Sequence, residues 1–252
     1  MENTERKYLY HFTKREILIE HILPNLELKL SSLKETNDLV ENKLLIRSLI
    51  ANAIDVTGLF NYTDLRQEIL YLLKDVCKIC CFSDDYNLSR MWATYGDRHK
   101  GVCLRIDYEV FCKENGLKNN KSYLKKVVYK PKLNYELMNR LRSKNESNKR
   151  EIIIKTIRKN IKTIFFTKHK DWISESEIRY LTLEKKDYCS IIESLDGIIL
   201  GEEFENKYLP SILYQLDTGI DFFRIQALSD GHLLLKNIDV ELQKPINWSK
   251  NQ

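Results

Sequence analysis

Apolar and polar positions alternate or recur with recognisable periods along most of this chain. Tyr8 to Phe12 is a short apolar run that reads as a strand, and Lys14 to Leu23 has a helical pattern that Pro24 ends. Leu26-Glu27-Leu28-Lys29-Leu30 alternates strictly, which predicts a half-buried strand. Amphipathic helices are expected over Glu41 to Val56 and Thr63 to Lys74, separated by a turn near Gly58 and Asn61. Together they make a helical insertion over residues 41–75. Ile79 to Ser83, Val102 to Ile106 and Val127 to Tyr129 read as strands, with a polar loop from Lys113 to Ser122. A helical pattern with a basic face runs from Tyr135 to Thr163. Beyond Tyr180 come a strand at Gly197 to Leu200, a helix near Phe204 to Leu216, and strands at Asp221 to Ile225 and His232 to Leu235. No repeat or linker interrupts the series, so the expected organisation is a single α+β domain over residues 1–252.

Composition narrows the picture a little. With 252 residues and 43% hydrophobic content, the chain is long enough to bury a full core. The net charge of +5 leaves 36 acidic residues set against 41 basic ones, so charge alone selects no partner. No apolar run reaches the roughly 18 residues of a membrane span. Met1 to Lys7 is polar, so the protein is expected to be cytoplasmic with no membrane contact. Cys77 and Cys80 form a C-x-x-C in apolar surroundings (Val76, Ile79, Phe82) and read as core thiols rather than a zinc site. The basic face from Arg140 to Lys162 reads first as a solvated surface, with nucleic-acid contact as the alternative.

Three groups of residues carry candidate chemistry. In Lys170-Asp171-Trp172-Ile173-Ser174-Glu175-Ser176-Glu177-Ile178-Arg179-Tyr180, the two glutamates stand two apart in what reads as a strand, so they share a face. Two ionised carboxylates so placed repel unless a cation, a sugar hydroxyl or Arg179 offsets the repulsion. His11 and Thr13 share one face of the first strand, where a structural histidine explains the letters equally well. Met91-Trp92 to Tyr95-Gly96 sets two aromatic rings three residues apart, with Cys81-Phe82-Ser83 before it and Gly101-Val102-Cys103 after it. Trp92 suits either ring stacking or the core.

Taken in order, Leu9 to Thr13, Ser31-Ser32, Asn37-Asp38 with Glu41, Cys81 to Ser83, Met91 to Cys103 and Lys170 to Arg179 resemble the bacterial domain-of-unknown-function family 2971. Leu39 stands where that family usually has proline. The layout of an early histidine, a central Ser or Tyr group and a late Glu-x-Glu is also similar to that of ADP-ribosyltransferases, which hold nicotinamide adenine dinucleotide (NAD) in a cleft between two small sheets.

That likeness implies mixed and antiparallel sheets forming a cleft, with NAD as substrate. Glu177 would stabilise the oxocarbenium-like ribose or anchor its hydroxyl, and Glu175 would orient the acceptor. His11 and Thr13 would bind the adenosine-side ribose with Ser83 nearby, Trp92 or Tyr95 would stack on nicotinamide, and Arg179 would meet the pyrophosphate. The implied setting is a toxin or phage-defence effector with a nucleic-acid or protein acceptor and an inhibitory or activating partner protein. As a strand carboxylate at a cleft edge, Glu177 would contribute little to stability. Two other readings stay open: a non-catalytic nucleic-acid-binding effector or sensor, and a magnesium-dependent nuclease built on Asp38, Glu175 and Glu177.

Overall fold

A computed structural model describes residues 6–32, 35–36, 62–117, 121–133, 155, 157–216 and 219–238. Asn37-Asp38, the expected helix from Glu41 to Val56 and most of the basic face beginning at Tyr135 lie outside these residues. In chain order the described strands are β1 (Tyr8–Thr13), β2 (Glu27–Lys29), β3 (Ser31–Ser32), β4 (Lys78–Ser83), β5 (Val102–Asp107), β6 (Ser122–Lys126) and β7 (Val128–Lys130). They continue with β8 (Thr167–His169), β9 (Glu177–Thr182), β10 (Tyr188–Ser190), β11 (Leu195–Leu200), β12 (Asp221–Ala227) and β13 (Leu233–Asn237). With the helices between them they make an α+β protein whose pairing is mixed and mostly antiparallel. Among the described residues no helix is long and apolar enough to cross a membrane.

The chain forms two compact units. The first takes Met1–Leu28, Phe82–Gly116 and Ser190–Gln252. Its strands run in the order β13-β12-β11-β5-β1. β5 lies between β1 and β11, antiparallel to both, from Tyr8↔Asp107 to Thr13↔Val102 on one side and from Leu195↔Ile106 to Leu200↔Val102 on the other. A strand covered on both faces needs a nearly continuous apolar run, and Val102, Cys103, Leu104 and Ile106 are all fully buried. β11 and β12 are parallel, so the chain between them must cross over, and the helix Leu209–Leu213 lies on that connection. The core gathers Phe12, Met91, Trp92, Cys103, Ile199, Phe223, Ile225 and Leu233.

The second unit takes Lys29–Cys81 and Leu117–Cys189. β4 lies between β3 and β9, and β9 pairs antiparallel with β6 from Ser122↔Thr182 to Lys126↔Ile178. A separate parallel pair, β7 with β8, sets Tyr129 opposite Lys168. The helix Tyr62–Tyr71 passes into a π-helical turn, Leu72–Val76, as the apolar spacing near Thr63 to Lys74 leads one to expect. Ile69, Leu72, Leu73 and Cys77 pack with Ile161, Ile164, Phe165 and Leu181 in the second core, where burial raises the Cys77 thiol to about 12. All six residues of β9 are buried.

Two expectations are corrected. The polar stretch beginning at Lys113 is not all loop: a helix, Tyr108–Glu114, precedes it, and strand β6 closes it. The signal for that helix is Asp107 at the end of β5, which accepts hydrogen bonds from the backbone N–H groups of Glu109 and Val110 at 2.9 and 3.0 Å. The helix expected near Phe204 to Leu216 is shorter, a 3-10 turn at Asn206–Tyr208 leading into the helix Leu209–Leu213.

Candidate functional site

β9 opens with Glu177, and two residues later Arg179 points to the same side, as strand periodicity requires. Arg179 Nε donates to Glu177 Oε1 at 2.7 Å and Nη2 donates to Oε2 at 3.0 Å, a two-pronged pair whose planar geometries match. A third nitrogen, Nη1, donates to the Phe165 carbonyl at 2.7 Å. Lys168, on β8, adds the second cation, with Nζ 2.6 Å from Glu175 Oε2 and 3.4 Å from Glu177 Oε2. Two carboxylates and two cations thus form an electrically balanced tetrad. All four residues are buried, and Glu177 is 4% exposed.

The protonation state follows from these contacts. Burial pushes the Glu177 carboxyl upward, but the Arg179 guanidinium, the Lys168 ammonium and hydrogen bonds from Arg179 and Cys81 outweigh it and hold the carboxyl at about 2. Glu177 is therefore a carboxylate at neutral pH. Its backbone N–H donates to Tyr129 Oη at 2.9 Å. Burial, together with the charges of Glu177 and Glu175, lifts the Tyr129 phenol to about 12, so it stays protonated. Lys168 also stands 4.6 Å from the centre of the Trp172 ring.

Cys81 belongs to the same neighbourhood and is exposed. Desolvation, then the Glu177 charge, nevertheless raises its thiol well above the ordinary thiol range.

Four sequence expectations change here. Glu175 is not on the strand: it ends the 3-10 segment Lys170–Glu175, the chain turns at Ser176 with φ 46°, and β9 starts at Glu177. The two acids still meet, through Lys168 rather than through a shared strand face. Arg179, expected on a pyrophosphate, is 1% exposed and spends its donors on Glu177 and Phe165. Glu177 is no loosely packed edge carboxylate, because removing its charge strands a buried guanidinium. Finally, Trp92 is 0% exposed, with Phe12 edge-on at 5.1 Å, the His99 ring stacked at 6.4 Å, and its Nε1 donating to the Tyr86 carbonyl. It fills the core of the first unit, against which the half-buried Tyr95 packs.

The other candidates also lie in the first unit. His11 is partly exposed and meets Phe82 edge-on at 5.8 Å. Thr13 and Ser83 are buried, at 8% and 0% exposure. His11 lies in the first unit and Glu177 in the second. Lys168 and Tyr129 had no functional signal in the sequence, since a parallel pairing between strands some 40 residues apart places them together. Among the described residues no group of three or more His, Cys, Asp or Glu side chains is arranged to hold a metal ion. Asp38, which the nuclease reading needs, lies outside the described residues.

A family model described as "Protein of unknown function (DUF2971)" matches residues 91–180, which supports the family read from the motifs. The matched segment includes Trp92, Tyr95, Tyr129, Lys168, Glu175, Glu177 and Arg179. No curated protein and no solved structure matches the chain.

Proposed function

For this chain of the DUF2971 family, whose description assigns no activity, we propose cleavage of the nicotinamide glycosidic bond of NAD, with transfer of ADP-ribose to an acceptor or to water. The observation that carries the reading is the carboxylate of Glu177, kept ionised by Arg179 and Lys168 and bordered by an exposed thiol. Breaking that bond builds positive charge on the ribose, and a carboxylate fixed in a desolvated setting stabilises such charge far better than one in water. The ion pairs keep Glu177 in its charged form at every pH near neutrality, the state the reaction requires. Glu175, held by Lys168, orients the acceptor. His11 and Thr13 bind the adenosine-side ribose, and Tyr95 stacks on nicotinamide in an ADP-ribosyltransferase-like cleft. A toxin or phage-defence effector is the setting this chemistry suits, with a nucleic acid or protein as acceptor and a partner protein to restrain it.

The test is release of isotope-labelled nicotinamide from NAD by the purified protein, with and without cell lysate as acceptor. The control is Glu177→Asp, which keeps a charge opposite Arg179 but withdraws the carboxylate by one methylene. Misplacement on that scale costs about 100-fold in rate. The expected result is release by the wild type and roughly 100-fold slower release by the variant at similar melting temperature. No release by the wild type under either condition overturns the reading.

A further inference from the structure

Tyr129 lies in this neighbourhood with its hydroxyl only partly bonded among the described residues. Its hydroxyl oxygen accepts the Glu177 N–H at 2.9 Å, and its own O–H has no acceptor among the described residues. The residue is partly exposed and lies beside the buried tetrad. The parallel register fixes this arrangement. Tyr129 and Lys168 stand opposite one another on β7 and β8, and both side chains run to the Glu175–Glu177 pair.

Charge decides what such a place accepts. Lys168 and Arg179 are already matched by Glu175 and Glu177, so no cation is left over for a phosphate. The uncharged sugar part of a ligand, with its hydroxyl groups, meets no such obstacle. An oxygen there can accept from the Tyr129 O–H, while the Glu177 carboxylate stays engaged by Arg179 and Lys168. Because the phenol stays protonated to about 12, it remains a donor across the working pH range.

We infer that Tyr129 is the substrate-facing residue beside the tetrad and that it positions a sugar hydroxyl of the ligand by donating its O–H to it. This rests on the reading of the tetrad as a sugar-handling site and names the group that touches the sugar.

ADP-ribose is the probe, titrated calorimetrically into the wild type and into Tyr129→Phe, with melting temperatures measured alongside. Loss of one neutral hydrogen bond predicts binding weaker by roughly three- to tenfold in the variant. Hydroxyl-radical footprinting of the wild type, with and without ADP-ribose, reads the Tyr129 peptide directly and serves if the variant fails to fold. Protection of that peptide is expected. ADP-ribose binding without nicotinamide release would leave the Tyr129 assignment standing while the catalytic reading falls. Binding unchanged in Tyr129→Phe, an unprotected Tyr129 peptide, or no ADP-ribose binding by the wild type would each overturn the assignment.

Discussion

Glu177 and Arg179 show at the scale of single residues how burial changes the meaning of a charge. On a surface the pair would contribute little, because water screens it. With both side chains almost inaccessible, neither partner can lose the other without leaving an uncompensated charge in the interior. Glu177→Gln is therefore expected to lower unfolding stability by about 3–5 kcal/mol, measured by urea denaturation at pH 7. A variant with the wild-type midpoint would refute the description of the pair. The folded carboxyl sits at about 2 against an ordinary value of 4.5, so its ionisation stabilises the fold fully above pH 4.5 and is lost as pH falls from there through 2. The stability gap between wild type and Glu177→Gln should narrow over that window, as urea midpoints at pH 7, 4.5 and 3 would show.

At the scale of an element, the loop from Gly96 to Gly101 carries the largest local cost. Asp97, Arg98 and His99 all have left-handed backbones, with φ of 48°, 53° and 67°. Each costs roughly 1–2 kcal/mol for a residue with a side chain, so the loop must be held from outside itself. It is held at both ends. His99 N–H donates to the Trp92 carbonyl, Glu203 N–H donates to the His99 carbonyl, and Gly201 N–H donates to the Gly101 carbonyl. The fit is close enough that a Cβ on Gly201 would lie 2.0 Å from the His99 oxygen, and one on Gly101 would lie 2.4 Å from the Thr13 oxygen. These obstacles are backbone atoms and cannot swing aside. Gly201→Ala should cost roughly 3 kcal/mol, at the upper end for overpacking, and lower the melting temperature by several degrees. An unchanged melting temperature would mean the loop is not pinned there.

At the scale of the whole molecule, the chain forms two compact units, each with its own apolar core. His11 belongs to one unit and Glu177 to the other. With the two side chains assigned separate tasks, the rate losses of His11→Ala and Glu177→Asp should multiply in the double variant, as nicotinamide release would show. A double variant no slower than the slower single variant would show that the two side chains act as one unit. Alternation and apolar runs were enough to find β1, β4, β5 and β12 within a residue or two, because burial of a strand face writes itself into neighbouring letters. The short strands β3, β6, β8 and β10 and the helix Tyr108–Glu114 escaped, having too few residues to show a period. The same division holds at the site. The sequence by itself determined that Glu175 and Glu177 stand close and need a compensating cation, since like charges at that spacing repel in any conformation. Only the tertiary structure decided that Lys168 shares the compensation with Arg179, that Tyr129 joins them, that Glu175 lies off the strand, and that Trp92 is core. Those outcomes depend on strand register and burial between residues far apart in the chain, which no local pattern encodes.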